Sequence, residues 1–253
     1  MKNDTLRQIL NIVSMLVVLI VNAMASLLPL NGLTTAQISD SFFILFVPAG
    51  YVFSIWGVIY LGLIAFTVYQ ALPAQRGNPR LRKMGIWFFL SGLANSLWLV
   101  SFHYQLFGLA MIMMLVLLGI LIRIYTILGI GKETVKPVEK WVVNLPFSIY
   151  LGWITVATIA NASQFLYFIN WDGFGISAEI WTLIMLAAAL VISAMVSFTR
   201  KDVGYTLVLV WALIGIAIKQ SAIPIVANAA WISAAVVAVV LVIASIQKRV
   251  KAR

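Results

Sequence analysis

Residue type limits the chemistry open to this chain. It has no cysteine and one histidine, His103, so it can build neither a thiolate centre nor a histidine-based metal site or relay. No general acid–base pair or activated nucleophile stands out either, so no catalytic or metal-ligating residue is expected and a non-enzyme is the preferred reading. The informative side chains are the nine tryptophans. In membrane proteins Trp usually sits at the interface, its ring in the apolar phase and its N–H in water. Trp87, Trp141, Trp171, Trp181 and Trp231 fall near the ends of apolar runs and fit that pattern. Trp56, Trp98, Trp153 and Trp211 fall deeper. A deep Trp wants an acceptor for its indole N–H, and deep aromatics beside amides suit a flat apolar ligand as well as a packed core. The cations Arg123 and Lys219 lie close enough to run ends to snorkel their charge outward. Lys219 as a retinal Schiff base would need a buried counter-ion, and no apolar run contains a carboxylate in its middle. The same absence disfavours proton or cation pumping.

The elements that position these residues follow from composition. Of 253 residues, 63% are hydrophobic and 9% charged, and mean hydropathy is +1.07, far from a soluble domain with about a quarter of its residues charged. A helix needs about 20 apolar residues to cross a bilayer core. Eight such runs are found, over 8–30, 48–72, 84–103, 106–128, 141–163, 179–199, 203–219 and 225–246. They lack the alternation of barrel strands, so the fold is an all-α, polytopic transmembrane bundle of about eight spans. With the N-terminus inside, sixteen of the seventeen basic residues lie on the inner side and only Lys219 lies outside, as the positive-inside rule requires of a cell-membrane protein with both termini cytoplasmic. The +10 charge therefore describes orientation, with no nucleic-acid partner. The basic tail Lys248 to Arg253 fits contact with anionic lipid. Ala23-Met24-Ala25 after Lys2 and Arg7 also resembles a signal-peptide cleavage site, which would leave seven spans; the apolar run continues through Leu27, Leu28 and Leu30, longer than a usual signal core.

Three motifs then carry a resemblance. Pro48-Ala49-Gly50-Tyr51-Val52-Phe53-Ser54-Ile55-Trp56 through Tyr60, Asn95-Ser96-Leu97-Trp98, and Leu145-Pro146-Phe147-Ser148-Ile149-Tyr150-Leu151-Gly152-Trp153-Ile154-Thr155, followed by Asn161, occur in that order. They resemble the second-, third- and fifth-helix motifs of the translocator/tryptophan-rich sensory protein (TspO) family. The resemblance covers about residues 8–165 and divides the chain into a five-helix core, 1–165, and a three-helix extension, 166–253. It departs from the family signature at Tyr51 and Ala49, and one residue is missing between Phe53 and Trp56, which would swing Trp56 by about 100° around a regular helix. Asn161 also falls about three residues late, on roughly the same helix face. Independently of the family, Pro48 suits a helix start, and Asn95 with Trp98 shares one helix face, as does Trp153 with Ala157.

The resemblance implies an intramembrane cavity that binds porphyrins or other flat apolar molecules, with the loop 31–47 as its lid and a homodimer as a common state. Its expected lining is Tyr51, Phe53, Trp56, Asn95, Trp98, Tyr150, Trp153 and Asn161. No cofactor is expected beyond a tetrapyrrole ligand, and membrane lipid is the other partner. The extension, with Ala187-Ala188-Ala189 permitting close approach, reads as lipid-facing or dimer-forming. The alternative function is a permease-type component of a transport, export or immunity system, although the chain offers no nucleotide motif or paired broken helices.

Overall fold

The apolar runs become eight long helices in the computed structural model, which describes residues 4–27 and 30–251. They are α1 (Asp4–Leu27), α2 (Ile55–Ala71), α3 (Trp87–His103), α4 (Phe107–Ile127), α5 (Leu145–Phe168), α6 (Ala178–Arg200), α7 (Val203–Lys219) and α8 (Pro224–Lys251), with no strand among the described residues. Six segments, Asp4–Ala25, Gly50–Ala71, Phe107–Ile127, Pro137–Phe168, Ala178–Arg200 and Pro224–Gln247, are long and apolar enough to cross a membrane. α7 is apolar but shorter. α3, also 17 residues long, buries Ser91, Asn95, Ser96, Ser101 and His103 along its length. The protein is thus a polytopic, all-helical bundle.

Helices α1 to α5 close a ring in the order α1, α3, α4, α5, α2 and back to α1. Small residues allow the closest approaches: a Cβ on Gly92 of α3 would lie 2.0 Å from the Ser14 hydroxyl of α1, so only glycine lets these two helices meet there. α1 is a working member of this ring. It lies against α2 and α3 and contributes Asn22 to their shared polar core.

The remaining helices form a second layer, in which α8 packs on α6 and α7, and α7 packs on α5. The extension is thereby joined to the ring through α7, while α6 and α8 keep exposed apolar residues such as Val191, Met195, Ile232 and Val239. α7 buries Val208, Leu209, Ala212, Leu213, Ile216 and Ala217, so one apolar face is packed inside the molecule while Val203, Leu207 and Ile218 stay exposed. Of the three alanines, Ala189 is buried, whereas Ala187 and Ala188 are exposed.

The basic connections meet at one end of the bundle. Arg80 donates to Glu139 Oε2 at 2.6 Å, to the Leu128 carbonyl at 2.6 Å and to Asn144 Oδ1 at 3.0 Å. This clamps the α2–α3 connection to the α4–α5 connection. Arg82 pairs with Asp4, and Arg7, almost fully buried, donates to the Arg76 carbonyl. The side chains of Lys2, Lys248, Arg249, Lys251 and Arg253 lie outside the described residues. At the opposite end, the segment 30–49 folds over the ring. Its short helix Thr35–Asp40 begins with a capping box in which Thr34 and Gln37 satisfy each other's backbone N–H groups.

Candidate functional site

The site is assembled beneath that covering segment, where the upper turns of α2, α3 and α5 face one another. The chain enters α2 through a 3-10 turn, Gly50–Ser54, preceded by Pro48. A 3-10 turn advances about 120° per residue where an α-helix advances about 100°. Five such residues add about 100°, which offsets the residue missing before Trp56. Trp56 accordingly points inward. Its ring stacks on Trp98 of α3 at 6.1 Å and on Tyr60 one turn below at 5.4 Å, and meets Tyr150 and Trp153 of α5 edge-on at 6.0 and 6.2 Å. Phe53 closes the cluster against Trp153 at 5.7 Å.

Polar groups punctuate this aromatic box. Trp98 Nε1 donates to Asn161 Oδ1 at 3.0 Å, and Asn161 Nδ2 donates to the Ala157 carbonyl of its own helix at 3.0 Å. The indole N–H of Trp153 and the amide nitrogen of Gln164 are buried with no hydrogen-bond partner. Buried donors normally find an acceptor; with Asn95 Nδ2 as a third, one turn deeper, these two lie unpaired on the walls of one site. Between them lies a cavity of about 30 Å³ bounded by Phe53, Trp56, Trp98, Trp153, Asn161 and Gln164, and roofed by Thr35, Ser39, Val47 and Pro48. A space of that size holds about one or two waters.

The expected lining residues divide into three groups. Phe53, Trp56, Trp98, Trp153 and Asn161 wall the cavity. Asn95 and Tyr150 lie one turn deeper, where Asn95 accepts from Asn22 Nδ2 at 3.1 Å and Asn22 in turn accepts from the Tyr60 hydroxyl. These two support the box from below. Tyr51 does not join it: half-exposed, it meets Trp211 of α7 edge-on at 5.3 Å. In the 3-10 turn, Phe53 takes the position facing the cavity, Val52 is buried against Gly215 of α7, and Tyr51 is turned toward Trp211. Trp211, deep in its run, also stays out of the cavity and donates to the Val52 carbonyl at 3.3 Å.

The roof is fastened from two sides. His103, fully buried, uses Nδ1 toward the Leu30 carbonyl at 3.1 Å and Nε2 toward the Thr35 hydroxyl at 3.0 Å. From α7, Gln220 donates to the Leu45 carbonyl at 3.0 Å, Lys219 pairs with Asp40, and the Gly215 carbonyl accepts from Ala49 N–H at 3.1 Å. Lys219 is therefore an ion-pair partner of the covering segment. Gln164 escaped the sequence reading, yet it stands three residues beyond Asn161 on the same face of an apolar helix, a signal the spacing carries. The contributions of Gln220, His103 and Gly215 rest on contacts between residues far apart in the chain.

A family model described as TSPO-like protein matches residues 8–243 of this chain, so the match runs through α6, α7 and most of α8, well past the three motifs. No curated protein and no solved structure matches it. That family is not characteristically enzymatic, and the match covers most of the chain: it is an integral membrane protein belonging to the TSPO-like family.

Proposed function

We propose that this protein is a non-enzymatic binding protein of the cell membrane, with both termini cytoplasmic, that takes a flat, apolar, acceptor-bearing ligand of the tetrapyrrole class into the aromatic box for sensing or ligand handling. The observation that carries this reading is the pair of unpartnered buried donors, Trp153 Nε1 and Gln164 Nε2, on the walls of a cavity that Phe53, Trp56, Trp98 and Phe102 line with aromatic rings. Stacking faces bind a planar ring system, and the donors suit ring nitrogens or carboxylate oxygens on it. Ligand pockets hold about 300–1,000 Å³, against the 30 Å³ present here. Entry therefore requires the roof 30–49 to swing outward and Trp56 to leave its stack on Trp98.

The test is titration of the purified protein with protoporphyrin IX, read as saturable quenching of tryptophan fluorescence. Trp98→Ala and Asn161→Ala should each weaken binding about tenfold or more, because each removes a stacking face or its hydrogen-bonded support. Unchanged affinity in both variants would remove the assignment of the pocket.

A further inference from the structure

A second cavity, unrelated to the aromatic box, lies at the basic end of the bundle, where the α4–α5 connection faces the α6–α7 turn. It is a groove of about 760 Å³, within the range that takes a substantial ligand. Its walls are held in place by backbone packing. Gly131, at φ +79°, lies so close to the Arg200 carbonyl that a Cβ would fall 2.1 Å from it, and Arg200 reaches over the Tyr125 ring at 5.4 Å. On the floor, Asp202 is already satisfied: Oδ2 accepts from the Tyr125 hydroxyl at 2.8 Å and the Ser148 hydroxyl at 2.6 Å, and Oδ1 accepts from Tyr205 N–H at 3.3 Å. Glu133, also on the wall, is drawn to Arg80 at 3.8 Å.

The mouth is different. Lys132, Lys140 and Lys201 line it, and none of the ion pairs among the described residues includes them, whereas Arg7, Arg80 and Arg82 at the same end all have carboxylate neighbours. Beside the lysines the groove opens onto an apolar lane. Trp141 is 65% exposed, and Val203 and Leu207, one turn apart on α7, are 46% and 52% exposed. Three uncompensated ammonium groups above a strip of exposed apolar side chains match an amphiphile with an anionic head and a hydrocarbon tail.

We propose that this groove is a binding site for an anionic phospholipid of the leaflet at the basic end, with its phosphate over Lys132, Lys140 and Lys201 and one acyl chain along Val203 and Leu207. A free phosphate shares the head chemistry but makes no use of the lane, and a zwitterionic lipid carries no net charge for the lysines to select. The site joins the ring to the second layer, so its occupant bridges the α4–α5 connection and α7.

The experiment is native mass spectrometry of the full chain in detergent, titrated with dioleoylphosphatidylglycerol and, separately, dioleoylphosphatidylcholine. One phosphatidylglycerol should be retained about tenfold or more tightly than phosphatidylcholine. The combined Lys132→Gln, Lys140→Gln and Lys201→Gln variant should lose that preference with phosphatidylcholine binding unchanged. Each single substitution should lose part of it, which keeps the test valid if the triple variant folds poorly. Lys83→Gln, at the same end but outside the groove, should keep it in full, and Leu207→Asn should weaken phosphatidylglycerol retention. A preference that survives the triple substitution, or that Lys83→Gln removes equally, overturns the proposal. Release of the bound lipid by millimolar inorganic phosphate, with Leu207→Asn silent, also overturns it and makes the groove a free-anion site.

Discussion

The chemistry of the aromatic box turns on a few side-chain atoms. Gln164 is 3% exposed and its amide nitrogen has no acceptor, and an unsatisfied buried donor costs about 1–3 kcal/mol. Gln164→Leu keeps the volume and deletes the donor. It should therefore leave the thermal unfolding midpoint at or above that of the parent while weakening protoporphyrin binding; if affinity is unchanged, Gln164 makes no contact with the ligand. Asn95 combines an unpaired amide nitrogen with a satisfied amide oxygen. It accepts from Asn22 beneath the box, so Asn95→Leu strands a buried donor, and polar contacts between membrane helices average about 0.6 kcal/mol. A modest loss of thermal stability with little direct effect on ligand affinity is the expected outcome, measurable by scanning fluorimetry and the same titration.

Among the elements, the 3-10 turn Gly50–Ser54 decides where Trp56 points, and α7 decides where that turn sits. Gly215 of α7 lies beneath it so closely that a Cβ would fall 2.3 Å from Val52 Cγ2. Gly215→Leu should push the turn away, open the roof and impair ligand binding although the residue lies outside the cavity; the check is quenching amplitude together with faster proteolysis in 30–49. At the other end, the clamp of Arg80 on Glu139 is largely buried, with side chains 15% and 9% exposed. Arg80→Ala leaves a buried carboxylate uncompensated and should destabilise by about 3 kcal/mol, seen as a lowered unfolding midpoint; a change within error would mean that the Asn78 and Tyr69 hydrogen bonds to Glu139 suffice.

For the whole molecule, the ring and the second layer are one packed unit joined through α7 and α5. A chain ending at residue 170 would expose the apolar faces of α5 and release Ala49, Leu45 and Asp40 from their partners Gly215, Gln220 and Lys219. It should be poorly stable in detergent and should not bind protoporphyrin; a monodisperse, binding-competent fragment would show that residues 1–165 stand alone as a core. The sequence by itself determined the number and places of the helices, the basic end and three of the motif-bearing helices, because apolar run length and loop charge are local properties that the bilayer reads directly. It also pointed to Trp56, Trp98 and Trp153 through their depth in apolar runs, and to Asn161 through the family resemblance. Only the tertiary structure decided that Tyr51 and Trp211 pair outside the box, that His103 and α7 hold its roof, and that Lys132, Lys140 and Lys201 share a groove. Each of those depends on contacts across tens to more than a hundred residues of chain, and packing between helices of similar hydropathy leaves no periodic trace in sequence.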